Sequence, residues 1–139
     1  MANIVETQVL QDGHRNFIAK WAGNLDTSDE AYVVKADPAT LNTITTQGTT
    51  RATELAIEGI QYSIEDGLAV SLWWDVDGTQ ANAKLICALT GRGKFSERDV
   101  GWWPNNATAG GTGKIALSTE GWQMGGVLAY VINIWCKKS

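Results

Sequence analysis

Short runs of alternating apolar and polar residues, separated by turn-forming dipeptides, dominate this sequence. The runs are residues 17–21, 32–36, 60–64, 68–74, 85–89, 115–117 and 127–136. Successive side chains of a strand point to opposite faces, so alternation predicts half-buried β-strands. The turn dipeptides are Asp12-Gly13, Gly23-Asn24, Asp37-Pro38, Asp66-Gly67, Asp77-Gly78 and Gly125-Gly126. About eight short antiparallel strands with this spacing predict an all-β sandwich or barrel, with hairpins at the Asp-Gly turns.

Three segments depart from this pattern. Residues 40–53 are rich in threonine and residues 91–113 in glycine, and neither is predicted to be regular strand, although the β-branched threonines of 40–53 leave an edge strand open as the alternative. A loop as long as 91–113 is usually functional or mobile. Residues 1–12 are polar and are predicted either to fray or to form an extended N-terminal arm that adds a strand to a neighbour. The length of 139 residues favours one domain over 1–139.

A short helical turn is predicted around Pro38–Leu41. Pro38 suits the first position of a helix, and the preceding Asp37 suits the cap.

The charge balance argues against a nucleic-acid partner, and the hydropathy pattern argues against a membrane partner. The net charge is −4, and the largest basic cluster, Arg92, Lys94 and Arg98, is interleaved with acidic residues. A nucleic-acid-binding protein usually carries a basic stripe, so no nucleic-acid partner is predicted. No signal peptide is recognisable in residues 1–12, and no apolar run approaches the ~18 residues of a membrane span. We therefore expect synthesis in the cytoplasm and no membrane partner.

Residues suited to catalysis or metal binding are few and scattered. His14 is the only histidine and lies beside Arg15 in a predicted turn, so a catalytic triad has no other base to use. One histidine and two cysteines are too few for an ordinary zinc site. Cys87 and Cys136 are predicted to be reduced core thiols, with a bridge between their strands as the alternative. The sequence thus predicts no catalytic residue, no cofactor and no metal ligand, and the protein is not expected to be an enzyme.

Two segments are similar to ligand-binding loops but lack the full pattern. The run Gly110–Lys114 has neither the glycine spacing nor the following Ser or Thr of a phosphate loop. Asp75-Val76-Asp77-Gly78 is like the start of a calcium loop without its later ligands. A hairpin turn is predicted there, with an incidental metal as the alternative.

Seven tryptophans are the unusual feature of the composition. Alternation with Leu68, Val70 and Leu72 predicts that Trp74 points inward and Trp73 outward. Trp135 is a second outward candidate, and outward aromatic residues mark a contact surface unless loops cover them. Trp102 and Trp103, in the 91–113 segment, form either a lid on one end of the sandwich or an anchor for a partner.

Three segments of the chain resemble a known family. They are LDTSDEAYVVKADPATL (25–41), GIQYSIEDGLAVSLWWD (59–75) and the pattern LTGRGKFSERDVGWWPNN…GGTGKIALSTEGW (89–122). They are similar to the jelly-roll cement, or decoration, proteins of short-tailed bacteriophage capsids, over roughly residues 10–137. The resemblance implies a jelly-roll β-sandwich without enzymatic activity, often a homodimer on a symmetry axis. It also implies a place in the virion, on the outer capsid surface, bridging neighbouring subunits of the major capsid protein.

No family motif supplies the contact residues, so the interface candidates come from the sequence itself. They are Trp73, Trp135, Trp102, Trp103, Arg92 and Lys94. The sharpest hypothesis is that Trp73 and Trp135 share one subunit or lattice contact with part of segment 91–113. Two alternatives stay open: a carbohydrate- or receptor-binding jelly roll, suggested by the tryptophan content, and a tail or head-completion subunit of the virion.

Overall fold

The computed structural model describes residues 3–41, 52–96 and 112–138, and within these ranges the chain forms nine strands. They are β1 (Ile4–Asp12), β2 (Asn16–Leu25), β3 (Val33–Ala36), β4 (Leu55–Ile64), β5 (Ala69–Trp74), β6 (Lys84–Leu89), β7 (Arg92–Ser96), β8 (Ile115–Glu120) and β9 (Leu128–Lys138). Two short 3₁₀ turns span Pro38–Thr40 and Gln80–Asn82. The predicted all-β class is confirmed.

The strands form two antiparallel sheets that pack as a β-sandwich. One sheet has the order β1-β2-β9-β4-β7, and the other has the order β3-β8-β5-β6. Within them β2 pairs with β9, β3 with β8, β4 with β7 and β5 with β6. The chain from β2 to β9 is therefore paired from its two ends inward to β5 and β6, and β1 adds one further strand at an edge.

The core lies between the inner faces of the two sheets. Trp21 from β2, Trp74 from β5 and Tyr130 from β9 are its largest side chains, and each is almost wholly buried. Trp74 points inward and Trp73 is half-buried on the other face of β5, as alternation predicts. Burying a large apolar side chain contributes roughly 1.5–3 kcal/mol, so these rings and the aliphatic residues around them are the main stabilising term.

The turn predictions have mixed outcomes. The short helical turn at Pro38 is confirmed, with the Asp37 carboxylate accepting a hydrogen bond from the backbone N–H of Ala39. Asp77-Gly78 lies between the paired strands β5 and β6. The hairpin predicted at Asp66-Gly67 is wrong, because β4 pairs with β7 and β9 and this turn carries the chain from one sheet to the other.

Two glycine-containing segments that the sequence marks as irregular are strand. Gly23-Asn24 lies inside β2, and Arg92–Ser96, within the segment 91–113, forms β7. The reason is close packing: a Cβ on Gly23 would lie 2.4 Å from the Tyr130 ring, and one on Gly93 would lie 2.5 Å from the Tyr62 hydroxyl. These glycines leave room for an aromatic ring and do not mark a turn.

Residues 4–12 form the edge strand β1, paired along one side with β2 of the same chain. Most of residues 40–53 and most of 91–113, including Trp102 and Trp103, lie outside the described residues.

Candidate functional site

The described residues bring no reactive group of side chains together. Across residues 3–41, 52–96 and 112–138, no set of three or more His, Cys, Asp or Glu side chains is placed to hold a metal ion. His14 lies exposed in the turn between β1 and β2. Cys87 and Cys136 are both free thiols, on strands of different sheets. Burial raises the pKa of Cys87 to about 12 and also raises the pKa of Cys136, so neither is a thiolate nucleophile near neutral pH.

The acidic turn after β5 is held by the protein itself. The buried carboxylate of Asp75 accepts hydrogen bonds from the Tyr32 hydroxyl, from the Thr112 hydroxyl at 2.8 Å and from the Gly78 backbone N–H at 3.0 Å. Asp77 accepts from Thr79 and from the amide of Asn82, and these bonds lower its pKa. Hydrogen bonds from within the protein therefore hold both carboxylates of this turn, Asp75 and Asp77.

A second polar network fixes the segment before β3. The Tyr130 hydroxyl donates to Glu30, whose other carboxylate oxygen lies 2.6 Å from the Lys35 ammonium. Desolvation and the Glu30 carboxylate both raise the pKa of Tyr130, which keeps the hydroxyl protonated as the donor. The Tyr130 hydroxyl, the Glu30 carboxylate and the Lys35 ammonium are thus all paired with one another, and the network stabilises the fold.

Trp135 lies on the outer face of the five-stranded sheet. In the ladder it stands opposite Ile18 of β2 and Gly59 of β4. A Cβ on Gly59 would lie 3.5 Å from the Trp135 ring, so the indole covers the glycine on the sheet surface. An aromatic ring laid over a cross-strand glycine keeps one face against the backbone and leaves the other face toward solvent.

Four cationic side chains share this outer face with Trp135, with Lys20 and Lys137 nearer to the ring than Lys94 and Arg92. Residues directly opposite in antiparallel ladders share a face, which places Lys94 in line with Gln61, Asn133 and Lys20. Arg92 lies in the next row, opposite Ser63. We call Trp135, Lys20, Arg92, Lys94 and Lys137 the basic face.

The basic face has a local charge opposite to that of the chain. Its four cations are accompanied by Glu6 on the same face, by Glu58, which the bulge in β4 leaves out of the pairing, and by Glu65, which accepts from the Ala129 backbone N–H beside Arg92. Four cations against three carboxylates give a local excess of one positive charge. The whole chain has 11 Lys and Arg against 15 Asp and Glu, so this excess is a property of the face.

Trp73 lies on the outer face of the other sheet. It stands between Ala116 of β8 and Leu85 of β6, and its indole N–H donates to the Ser118 hydroxyl at 3.0 Å. Val34 of β3 extends this apolar row to the sheet edge. Trp73 is thus half-buried with its polar atom satisfied by its own sheet.

The structure therefore separates the sequence-predicted candidates into three groups. Trp135, Arg92 and Lys94 lie on one face, Trp73 lies on the opposite sheet, and Trp102 and Trp103 fall outside the described residues. Sequence reasoning missed Lys20, although its alternation with buried Ala19 and Trp21 gives its outward direction. It also missed the role of Gly59 as the seat of the Trp135 ring.

Comparison of the chain with protein-family models, with curated proteins and with solved structures finds no match. In the part of the chain that the structure describes, no helix has the length and apolar character needed to cross a membrane.

Proposed function

We propose that the protein is a structural virion protein, a cement protein that binds the outer surface of a bacteriophage capsid and bridges neighbouring subunits of the major capsid protein. The proposal joins the sequence resemblance to the basic face, which is the observation that carries it. In this proposal the basic face lies against an acidic patch on the coat subunit. Trp135 supplies the aromatic contact, and Arg92 and Lys94 supply the charged contacts.

Charge and aromatic character support a protein partner for this face. Arginine and aromatic residues are enriched at protein interfaces, and complementary charge fixes orientation and speeds encounter. The excess of one positive charge is too small for a nucleic-acid site, which usually shows a basic stripe. A chain with net charge −4 that presents a positive face can bind an acidic surface in one defined orientation.

A modest contact is sufficient for this role. A subunit or dimer that touches two coat proteins makes its second contact at a high effective concentration. The shell then gains stability from many repeated contacts, each of which is individually weak.

The jelly-roll connectivity implied by the resemblance is also part of the proposal. A jelly roll is a ribbon of eight strands rolled so that its strands pair from the two ends inward, in two sheets. The pairings β2–β9, β3–β8, β4–β7 and β5–β6 support this connectivity, with β1 as an additional edge strand.

The described tryptophans favour this function over the carbohydrate alternative. A sugar platform needs several coplanar exposed rings, whereas Trp21 and Trp74 are buried and Trp73 and Trp135 lie on different sheets. The indole N–H of Trp122 is bound to the carbonyls of Leu25 and Gly126.

Binding to particles that lack the protein tests the proposal. Phage particles are prepared from a genome with the gene deleted, and purified protein is added back. We expect saturable binding that weakens with salt, because exposed charges are screened. The double variant Arg92→Glu/Lys94→Glu should bind at least about tenfold more weakly, since like charges across an interface cost several kcal/mol.

Lys84→Glu provides the matched control. Lys84 is also exposed and cationic but lies on β6 of the other sheet, so its reversal should leave binding unchanged. Absence of the protein from purified particles, or equal losses in both variants, would contradict the proposal.

A further inference from the structure

Strand β1 is the least buried strand of the five-stranded sheet and forms one of its edges. It pairs along one side with β2, and no described strand pairs with its other side. Three apolar side chains on it are exposed: Ile4 at 61%, Val9 at 51% and Leu10 at 51%. An apolar edge strand with an open row of backbone N–H and C=O groups is a template for pairing with another strand.

The sequence of β1 identifies the strand that fits this edge. Residues 4–10 read Ile-Val-Glu-Thr-Gln-Val-Leu, which has nearly the same pattern in both directions. Around Thr7, the residues pair as Ile4 with Leu10, Val5 with Val9 and Glu6 with Gln8. In an antiparallel pair of two such strands, apolar residues therefore lie opposite apolar residues, and the Glu6 carboxylate lies opposite the Gln8 amide.

We propose that β1 pairs antiparallel with β1 of a second copy, across a two-fold axis perpendicular to the sheet at Thr7. The two five-stranded sheets then form one continuous ten-stranded sheet. A two-fold axis makes the interface self-complementary, so one strand provides both halves. The inference deepens the proposed function, because such a dimer could bridge two coat subunits. The bridging role rests on the proposed function, whereas the pairing of the two β1 strands does not.

The chemistry of the paired residues selects this register over the two neighbouring ones. An axis one residue earlier places Glu6 opposite Glu6, and an axis one residue later places Ile4 opposite Asp12. With the axis at Thr7, residues that face the sandwich interior in one copy meet residues that face it in the other. Val5 already packs against the core, so the two copies of Val5 and Val9 extend the apolar inner face across the axis.

The bulge in β1 does not obstruct the pairing. The register with β2 is continuous from Ile4 to Val9 and shifts only between Val9 and Gln11. Six of the seven paired positions therefore lie on regular strand. A single strand pair buries less than the ~800 Å² per partner of a standard interface, so the free dimer is weak and gains strength where a lattice holds both copies.

Cysteine cross-linking tests the register even for a weak dimer. In Thr7→Cys, the two new thiols lie directly opposite, with Cα atoms about 4.5–5.5 Å apart, which suits a disulfide. In the control Glu6→Cys, the two thiols are displaced by two residues along the strands, with Cα atoms about 8 Å apart, beyond disulfide reach. We expect mild oxidation to yield a covalent dimer of Thr7→Cys at least about tenfold faster than of Glu6→Cys.

Wild-type protein controls for the native thiols. Cys136 is buried and Cys87 is half-buried with a raised pKa, so neither should cross-link under these conditions. Equal rates for Thr7→Cys and Glu6→Cys would overturn the inference.

Charge exchange at the axis gives a second test in solution. Thr7→Lys places two ammonium groups opposite each other and should weaken the dimer at least about tenfold in sedimentation equilibrium. Thr7→Glu should do the same, and mixing the two variants should restore a dimer that contains one of each. Gln11→Lys, on the same strand beyond the paired segment, should leave the dimer unchanged.

The mixed dimer separates an interface effect from misfolding, because misfolded variants do not rescue each other. A wild-type chain that stays monomeric up to millimolar concentration, or variants that fail to rescue each other, would overturn the inference. Loss of particle binding with an intact dimer would instead count against the proposed function.

Discussion

The outer faces of the two sheets each present one half-buried tryptophan, but the surroundings of the two indoles differ. Trp73 is flanked by Ala116 and Leu85 and donates its N–H to Ser118 of its own sheet. Trp135 covers Gly59 and shares its face with cations from β2, from β7 and from its own strand β9. Alternation along a strand gives the direction of both rings, whereas the cross-strand neighbours decide whether a ring is bonded to its own sheet or shares its face with charged side chains.

Truncation of Trp74, the buried neighbour of Trp73 on β5, should have the largest effect on stability. Trp74→Ala removes a wholly buried ring and should lower the free energy of unfolding by about 3–5 kcal/mol, while Trp73→Ala, next to it on the strand, should cost about half as much. Chemical denaturation of both variants gives the two values. Equal losses would mean that the outer face of the four-stranded sheet is packed as tightly as the core.

The hydrogen bond of Trp73 should produce the next largest difference. Trp73→Phe removes the donor to Ser118 and should cost about 1 kcal/mol more than Trp135→Phe, whose ring is held by stacking on Gly59. Urea unfolding curves of the two variants provide the comparison. Adding Ser118→Ala to the Trp73→Phe variant should then lower the free energy of unfolding only slightly. A further loss of about 1 kcal/mol there would argue that the hydrogen bond is not the cause of the difference.

Adding a methyl group at Gly59, beneath the Trp135 ring, should have the smallest effect on stability but should change the surroundings of the indole. In Gly59→Ala the new methyl lies 3.1 Å from the Phe95 carbonyl oxygen and 3.5 Å from the indole ring. Because alanine also restricts the unfolded chain, we expect a net change within about 1 kcal/mol. The indole N–H signal of Trp135, assigned by its loss in Trp135→Phe, should shift in a nitrogen-15 spectrum. An unmoved signal would show that the ring does not lie over Gly59.

The fold class and several side-chain directions could be predicted because the buried strands alternate clearly. Phe17, Ala19 and Trp21 point inward, as do Leu72 and Trp74. Strand β1 could not be predicted in this way, because both of its faces are largely exposed and its sequence therefore lacks apolar alternation. Strand β7 could not be predicted because Gly93 makes its sequence look like a loop. The glycine is needed because the Tyr62 ring, on a strand some 30 residues away, occupies the space of a side chain there.

The candidate site was only partly visible in the sequence for the same reason. Arg92, Lys94 and Trp135 could be named individually from composition and alternation. Their common face depends on the pairings of β4 with β7 and of β4 with β9, which link residues distant in the chain. No local pattern encodes those pairings, so the separation of Trp73 from Trp135 also required the structure.

Cryo-electron microscopy of the decorated particle tests the basic face most directly, because it shows which sheet lies against the coat protein. We expect density for this sandwich on the outer shell, with the five-stranded sheet toward the coat subunit and Trp135, Arg92 and Lys94 within contact distance of acidic side chains. A map in which the four-stranded sheet and Trp73 face the shell, or in which no such density exists, would contradict the account.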